Sequence, residues 1–377
     1  MKIVIISMQR VKNNGSFLQA YALYSVLKNI SRQNIEFLDF NNELLLQKQK
    51  NKKSGIKDIL RKIKHKVLPK YWSYVRTVKR SERFCAEWQT WLPIIGVDPK
   101  KYNYPNGNYD LVVVGSDEVF NVCQFTNEGF NPPWALLGEG INTQRLVSYA
   151  AACGQTDLQG LEAGQLTATY GALLNKFDEI SVRDENTFNV VSALSDVKPQ
   201  YHIDPVLLLD EFPEDVKYKR LPYKYVLIYA YTRRIGDEKE IAAIKRFAKS
   251  HNLKTVCVNC FQTWADKFIV SSAFALLQYV RDAECVITDT FHGTVFSIRN
   301  NVPFVTITRK SNENKLKFLL KQFELSDREL KDVNDLPKIF DKAIDFDAVN
   351  EKLACERKKS TVYLKRQIEI TEKSENE

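Results

Sequence analysis

Val286-Ile-Thr-Asp-Thr-Phe-His-Gly-Thr-Val-Phe-Ser-Ile-Arg-Asn-Asn-Val-Pro-Phe-Val-Thr-Ile307 holds the fold in miniature. Cys285 to Ile287 is a short apolar run with β-branched content, Thr294 to Ile298 follows, Asn300-Asn301 makes a turn, and Pro303 to Ile307 is a second β-branched run. That order reads as strand, turn, helix, strand. His292, one of only four histidines, therefore falls at the carboxyl end of a strand and the start of a helix. In open α/β sheets that edge is where ligands bind. A helix start also offers unpaired N–H groups and a positive dipole end to an anion. Gly293 leaves room for a ligand to approach the backbone. The plainer alternative is a packed or N-capping His-Gly turn.

Outward from this unit the alternation continues. Ile3–Ile6 reads as a strand, Phe17–Ile30 as a helix, Glu36–Phe40 as a strand, and Asp110 to Ser116 as a buried strand running into a glycine turn. Leu146–Ala152 and Glu179–Arg183 are further strands, with helices over Leu158–Leu174 and Asp184–Leu194. A second set begins near Leu221: strand Tyr225–Tyr231, helix Glu238–Ser250, strand Thr255–Val258, helix Ala273–Arg281, then the His292 unit and helices Lys315–Phe323 and Phe346–Ile370. Alternating strands and helices imply parallel sheets. The expectation is an α/β protein of two Rossmann-like domains facing a cleft. Residues 1–210 form the first, with a basic helical insertion at about 45–90. Residues 211–345 form the second and carry His292, and a terminal helix and tail, 346–377, pack back.

A chain of 377 residues is too long for one ordinary core. With 44% hydrophobic and 27% charged residues it is globular, and no apolar run approaches the ~20 residues of a membrane span. The start, Met1 to Ser7, is too short for a signal-peptide core and reads as a buried strand. Seven cysteines without a regular framework suit reduced cytoplasmic thiols. Cys257-Val-Asn-Cys260 is a lone CxxC inside an apparent strand, and it lacks the second ligand pair that zinc needs. No ligand cluster in the sequence asks for a metal.

The net charge of +9 is local. Between Lys48 and Arg83 stand fourteen Lys or Arg against Asp58 and Glu82, so the remainder of the chain is slightly acidic. That distribution argues against nucleic acid as a partner, since no RNA- or DNA-binding motif accompanies the charge. Ile56, Ile59, Leu60, Ile63 and Val67 recur at helical spacing within the segment, followed by Tyr71, Trp72 and Tyr74. A basic amphipathic helix with aromatics suits an anionic membrane surface. The alternative is a solvated basic face packed on the protein by its apolar stripe.

Four segments at expected carboxyl ends of strands hold the candidate chemistry. Asn14-Gly15-Ser16 can present N–H groups to phosphate or sugar oxygens, unless Ser16 merely caps a helix. Ser116-Asp117 ends another strand, where Asp117 can orient a hydroxyl or act as a base. Arg183 can fork onto a carboxylate or phosphate, or pair with a neighbouring acid. Thr290, His292 and Gly293 cluster after the opening strand, with the cations Arg309 and Lys315 just beyond. No GxxxxGK[ST], GxSxG or HExxH is present, and the one DxD, Asp345-Phe-Asp347, opens a helix. Common nucleotide, hydrolase and metalloprotease templates therefore fail.

Together these residues resemble the polysaccharide pyruvyl transferase family. The markers are Asn14 to Leu23 (NGSFLQAYAL), Val113 to Asp117 (VVGSD), Ser148 to Ala151 (SYAA), Ser181 to Asp184 (SVRD), Ile203 to Pro205 (IDP) and Thr290 to Ser297 (TFHGTVFS). Their order and spacing are specific together, and they cover roughly residues 1–325 outside the basic insertion.

The resemblance implies a fold similar to the two-domain glycosyltransferase fold GT-B. It implies a transferase that uses phosphoenolpyruvate as donor substrate, needs no cofactor, and forms a pyruvate ketal on a sugar of a surface or exopolysaccharide repeat unit. Such repeats are commonly lipid-linked at the inner face of the cell membrane, which places the protein in the cytoplasm or peripheral to that face. It implies His292 as the active-site histidine, Arg183 as a holder of phosphoenolpyruvate, and Lys315 where many members place Arg. Thr290 stands where many members carry Arg, so the anion contact is expected to be redistributed to Arg309 or Lys315. The working assignment is then His292 and Asp117 as catalytic, and Arg183, Thr290, Gly293, Arg309 and Lys315 on the donor. Asn14, Gly15, Ser16 and Ser116 are assigned to the acceptor. The competing expectations are a GT-B glycosyltransferase using a nucleotide sugar and a non-catalytic, membrane-peripheral sugar-binding relative.

Overall fold

The computed structural model describes residues 1–40, 79–80, 82–122, 134–232 and 234–374. Most of the basic stretch 48–83, with its expected membrane-facing helix, lies outside the described residues.

Two six-stranded parallel sheets organise the chain. The first contains β1 (Ile3–Ile6), β2 (Ile35–Leu38), β3 (Asn108–Asp117), β4 (Asn142–Ala151), β5 (Ile180–Val182) and β6 (Pro199–Tyr201), in the order β2-β1-β3-β4-β5-β6. The second contains β7 (Tyr225–Tyr229), β8 (Lys254–Val258), β9 (Lys267–Ile269), β10 (Cys285–Thr288), β11 (Phe304–Ile307) and β12 (Glu329–Leu330), in the order β12-β11-β10-β7-β8-β9. In both, the order reverses beside the first strand of the unit, the place where doubly wound sheets open a crevice.

Parallel sheets are covered on both faces, so their strands are apolar throughout, and every residue of β1, β7, β10 and β11 is buried. Alternation along each strand then distributes residues between layers. Ile3 and Ile5 join a core that runs through both halves, with Phe17, Trp91, Leu207, Tyr229, Phe274, Phe296 and Leu364. Val4 and Ile6 face the outer layer of the first sheet, and Cys285 and Ile287 that of the second. One continuous core between the sheets holds the two halves against each other.

Among the described residues, the α-helices with defined bounds are α1 (Asn14–Ser31), α2 (Leu158–Ala163), α3 (Thr167–Leu174), α4 (Glu185–Leu194), α5 (Pro205–Leu208), α6 (Glu238–Ser250), α7 (Ala273–Arg281), α8 (Phe291–Arg299), α9 (Glu313–Gln322), α10 (Leu336–Asp341) and α11 (Phe346–Ser374). α11 returns to the first half: the Tyr363 hydroxyl donates to the Ser148 carbonyl at 2.9 Å, and Arg145 donates to Gln367 Oε1 at 2.8 Å. At its other end Lys352 pairs with Glu324 of the second half at 2.6 Å.

Two expectations are corrected here. Leu158–Leu174 is not one helix. It breaks at Gly164-Gln165, with Gln165 at φ +56°, and restarts as α3. The first helix begins at Asn14, not Phe17, because the Asn13 side chain caps it by accepting from Gly15 N at 2.9 Å.

Candidate active site

The carboxyl ends of β1, β3 and β5 meet those of β7, β8 and β10 around a cavity of about 630 Å³. From the first half come Asn14, Ser16, Asp117, Glu118 and Arg183. From the second come Tyr229, Tyr231, Asn259, Thr290, Phe291, His292 and Lys315.

His292 sits in the first turn of α8 and is 7% exposed. Its ring lies against Gly15 on the opposite half. Nε2 has no hydrogen-bond partner and stands 3.7 Å from Asp204 Oδ2. Burial pulls the imidazole pKa below its ordinary value. Asp204 and Asp117 pull it up, Arg183 and Lys315 add to the lowering, and the net shift is down. The resting ring is therefore neutral near pH 7.

Arg183 is buried and held between carboxylates. It donates NH1 to Asp204 Oδ2 at 2.8 Å, its NH2 lies 3.7 Å from Asp117 Oδ1, and the Phe291 ring packs on its face at 4.2 Å. Nε is buried without a partner. Burial works against its charge, but Asp204, Asp117 and Asp184 prevail and raise its pKa.

Asp117 occupies the last position of β3 at φ +77° and accepts from Ser16 Oγ at 2.7 Å. Burial pushes its carboxyl up, but His292 and Arg183 pull it down, so it is ionised. Next to it, Glu118 receives Lys315 Nζ at 2.6 Å across the cleft, and its second oxygen accepts from Asn121 at 2.7 Å. Among the described residues no cluster of His, Cys, Asp or Glu could hold a metal ion.

The structure brings His292, Asp117, Arg183, Thr290, Lys315, Asn14 and Ser16 to this cavity and disposes of the others differently. Arg309 is not in its lining. Glu240 takes both its terminal nitrogens, at 2.7 and 2.9 Å, and Asp289 lies 3.7 Å from its Nε. The donor contact expected at Arg309 is corrected accordingly: the cation is spent on two acids of its own half. Gly293 offers no spare N–H, because Thr290 Oγ1 accepts it at 2.9 Å as the cap of α8, and its Cα packs on Thr288. Ser116 is also withdrawn from the cavity. Its hydroxyl donates to the Ala150 carbonyl at 2.7 Å and its N–H to Gln19 at 3.1 Å. The Gly15 N–H is used by the Asn13 cap, so this glycine meets the site through its bare Cα.

Sequence reasoning assigned no role to Asp204, Glu118, Phe291, Tyr229 or Asn259, and placed Arg80 only in the basic stretch. Asp204 precedes a proline and caps α5, accepting from Val206 N at 2.9 Å. Asn259 follows β8 and donates to Asn14 Oδ1 at 2.9 Å, while Asn14 Nδ2 donates to the Tyr229 hydroxyl at 3.2 Å. Arg80, at the described end of the basic stretch, stacks on Phe261 at 4.2 Å and Phe268 at 5.0 Å.

Two facing parallel α/β units with the site in the crevice between them define the GT-B type of architecture. The likeness to the first of two solved structures agrees in fold. The S. aureus MnaA–UDP structure aligns at 10% identity over 94% of this chain and 91% of that one, with a TM-score of 0.52. A UDP-GlcNAc 2-epimerase from Methanocaldococcus jannaschii aligns at 11% identity over 92% and 93%, with a TM-score of 0.48. No curated protein matches the chain. The family model for polysaccharide pyruvyl transferase matches residues 13–311, and the chain belongs to that family.

Proposed function

We propose that the protein is a ketal-forming transferase. It moves the enolpyruvyl unit of phosphoenolpyruvate onto two hydroxyls of a sugar in a surface or exopolysaccharide repeat unit and releases phosphate. The observation that carries this reading is the juxtaposition on one cavity of a buried, neutral His292 and of Arg183, whose buried Nε no protein group satisfies.

A carboxylate and a phosphate on the donor call for cations, and Arg183 and Lys315 stand on opposite walls. Two sugar oxygens bond to the enol carbon while its bond to the phosphate oxygen breaks. Of the two hydroxyl protons, one ends on the methylene carbon and makes it methyl; the other leaves with phosphate. A neutral, buried imidazole suits the first transfer. It takes the proton from the attacking hydroxyl, Asp204 and Asp117 stabilise the cation, and the proton passes on. Ionised Asp117, already accepting from Ser16, orients the second hydroxyl. The cavity lies within the roughly 300–1,000 Å³ of small-molecule sites and exceeds what phosphoenolpyruvate alone fills, leaving space for a sugar.

The acceptor is proposed to be lipid-linked, with the basic stretch 48–83 docking on the inner membrane face. Flotation with anionic vesicles tests this, and absence of salt-sensitive binding removes it.

The central test is thermal-shift binding of phosphoenolpyruvate to the wild type and to Arg183→Ala. A ligand at about 100 times its Kd stabilises the fold by roughly 2.7 kcal/mol. A shift lost in the variant supports the donor assignment. A shift with a nucleotide sugar and none with phosphoenolpyruvate moves the assignment to glycosyl transfer.

A further inference from the structure

We propose that Asp204 is the positioning residue of this site, a single carboxylate that both fixes the proton of His292 on Nε2 and holds the guanidinium of Arg183. The inference deepens the reading above and depends on it only for what the ring does with substrate.

Asp204 has no exposed side-chain surface. Its Oδ1 is tied to Val206 N at 2.9 Å, and its carbonyl accepts from Leu207 N at 2.9 Å and Leu208 N at 3.1 Å, so the carboxylate cannot swing. Oδ2 is left to receive Arg183 NH1 at 2.8 Å with His292 Nε2 3.7 Å away. A neutral imidazole carries one proton, and the nitrogen nearest a fixed carboxylate is where it is best placed. Nε2–H directed at Oδ2 leaves Nδ1 as the bare nitrogen, the one with a lone pair for an incoming hydroxyl. A separation of 3.7 Å is long for a hydrogen bond, and such contacts tighten when a site fills.

The same oxygen sets Arg183. With NH1 on Asp204 and one face on Phe291, the guanidinium plane is fixed, and Nε remains for an anion. Around the His292 ring the charged groups are Asp204 at the α5 cap, Asp117 at the end of β3, Arg183 after β5 and Lys315 on α9. Asp204 is the one whose oxygen stands 3.7 Å from a ring nitrogen.

The experiment is histidine-labelled nitrogen NMR of the full chain. With four histidines, the His292 signals are those missing from His292→Gln. The wild type at neutral pH is expected to show Nε2 protonated and Nδ1 bare. Asp204→Asn keeps a capping oxygen, and it is expected to mix the tautomers and lower the His292 titration midpoint, while Asp204→Glu partly restores both. A wild-type ring protonated on Nδ1 overturns the proposal, and so does a titration that Asp204→Asn leaves unmoved.

Should Asp204→Asn fail to fold with Arg183 left unpaired, the comparison of Arg183→Gln with Arg183→Gln/Asp204→Asn reads the same shift without a buried lone cation. None of these signals requires a ligand. Absence of phosphoenolpyruvate binding by the wild type would remove the donor reading and leave the tautomer result standing, and the converse also holds.

Discussion

Gly15 and His292 face each other across the two halves so closely that a Cβ on Gly15 would lie 2.1 Å from Nδ1 of the ring. The glycine is needed here for the space beside its Cα, and it sits on the first turn of α1, rigid with the first sheet. The contact therefore registers the histidine of one half against the first turn of α1 in the other.

Gly15→Ala tests that registration. The added methyl meets three ring atoms within 2.7 Å, so the imidazole must turn or the halves must part. A displacement of about 1 Å at a reacting group costs on the order of 10²-fold in rate. The expected outcome is a drop of that size in kcat/KM with a folded protein by circular dichroism. Full activity in Gly15→Ala would show that the ring does not occupy this position during turnover.

His292→Ala separates acid–base work from binding. Loss of a positioned proton carrier costs about 10²–10⁴-fold in kcat, whereas donor affinity, which we propose to rest on Arg183 and Lys315, should change little. The measurement is steady-state turnover beside phosphoenolpyruvate titration. Unchanged turnover in the folded variant removes His292 from catalysis.

Lys315 and Arg309 were alike in the sequence and are not alike in the fold. Lys315 bridges to Glu118 at 2.6 Å on the cavity wall, while Arg309 is locked to Glu240 outside the lining. Lys315→Met is expected to raise KM for phosphoenolpyruvate about tenfold, the worth of one charge-assisted hydrogen bond of roughly 1.5 kcal/mol. Arg309→Met should leave KM within about twofold and lower Tm instead. The reverse pattern would place the donor on the other side of β11.

The contrast marks where the sequence is legible. Strand–helix alternation, the parallel sheets and the position of His292 at a strand end follow from patterns of local composition, and these the chain displays openly. Short edge strands do not: β6 and β9 have three residues each and β12 has two, too few for any periodicity. Which cation faces the cavity is equally hidden, because Glu240 lies 69 residues before Arg309 and Glu118 lies 197 before Lys315. Asp204 was concealed by a second role, since a carboxylate before a proline already has a reason to be there as a cap.

Tyr363 fixes the returning helix α11. It is 3% exposed, its ring packs tilted on His202 at 4.5 Å, and its hydroxyl donates to the Ser148 carbonyl at 2.9 Å. Tyr363→Phe keeps the packing and deletes one buried hydrogen bond, so a loss of about 1 kcal/mol is expected. Tyr363→Ala also opens a cavity and should cost about 3–5 kcal/mol, as for other large aromatic truncations. Urea midpoints measure both. Equal effects would mean that the hydroxyl, not the ring, anchors the helix.

His202 gives the pH dependence a definite sign. It is 2% exposed, bonded through Nδ1 to Ser181 Oγ at 2.8 Å, and burial with help from Lys359 and Arg366 pushes its pKa down to about 3. Unfolded, it titrates near 6.5. Between those values the unfolded chain binds a proton that the native protein refuses, so stability rises with pH across the window and is lost as pH falls from about 6.5 towards 3. The slope approaches roughly 1.4 kcal/mol per pH unit.

Asp289 has the opposite sign, for burial raises its carboxyl to about 6 despite Arg234 and Arg309. Its contribution is present below the unfolded carboxylate pKa and is lost as pH rises through 6, so it partly masks His202 in the wild type. The comparison must therefore be made against His202→Gln, which retains a polar contact for Ser181 without the titration. Urea midpoints at pH 7.0, 6.0 and 5.0 should fall less steeply for the variant than for the wild type, with the curves converging towards acid. Parallel curves would mean that His202 is protonated at an ordinary pKa and that the packing of α11 over the first sheet opens to water.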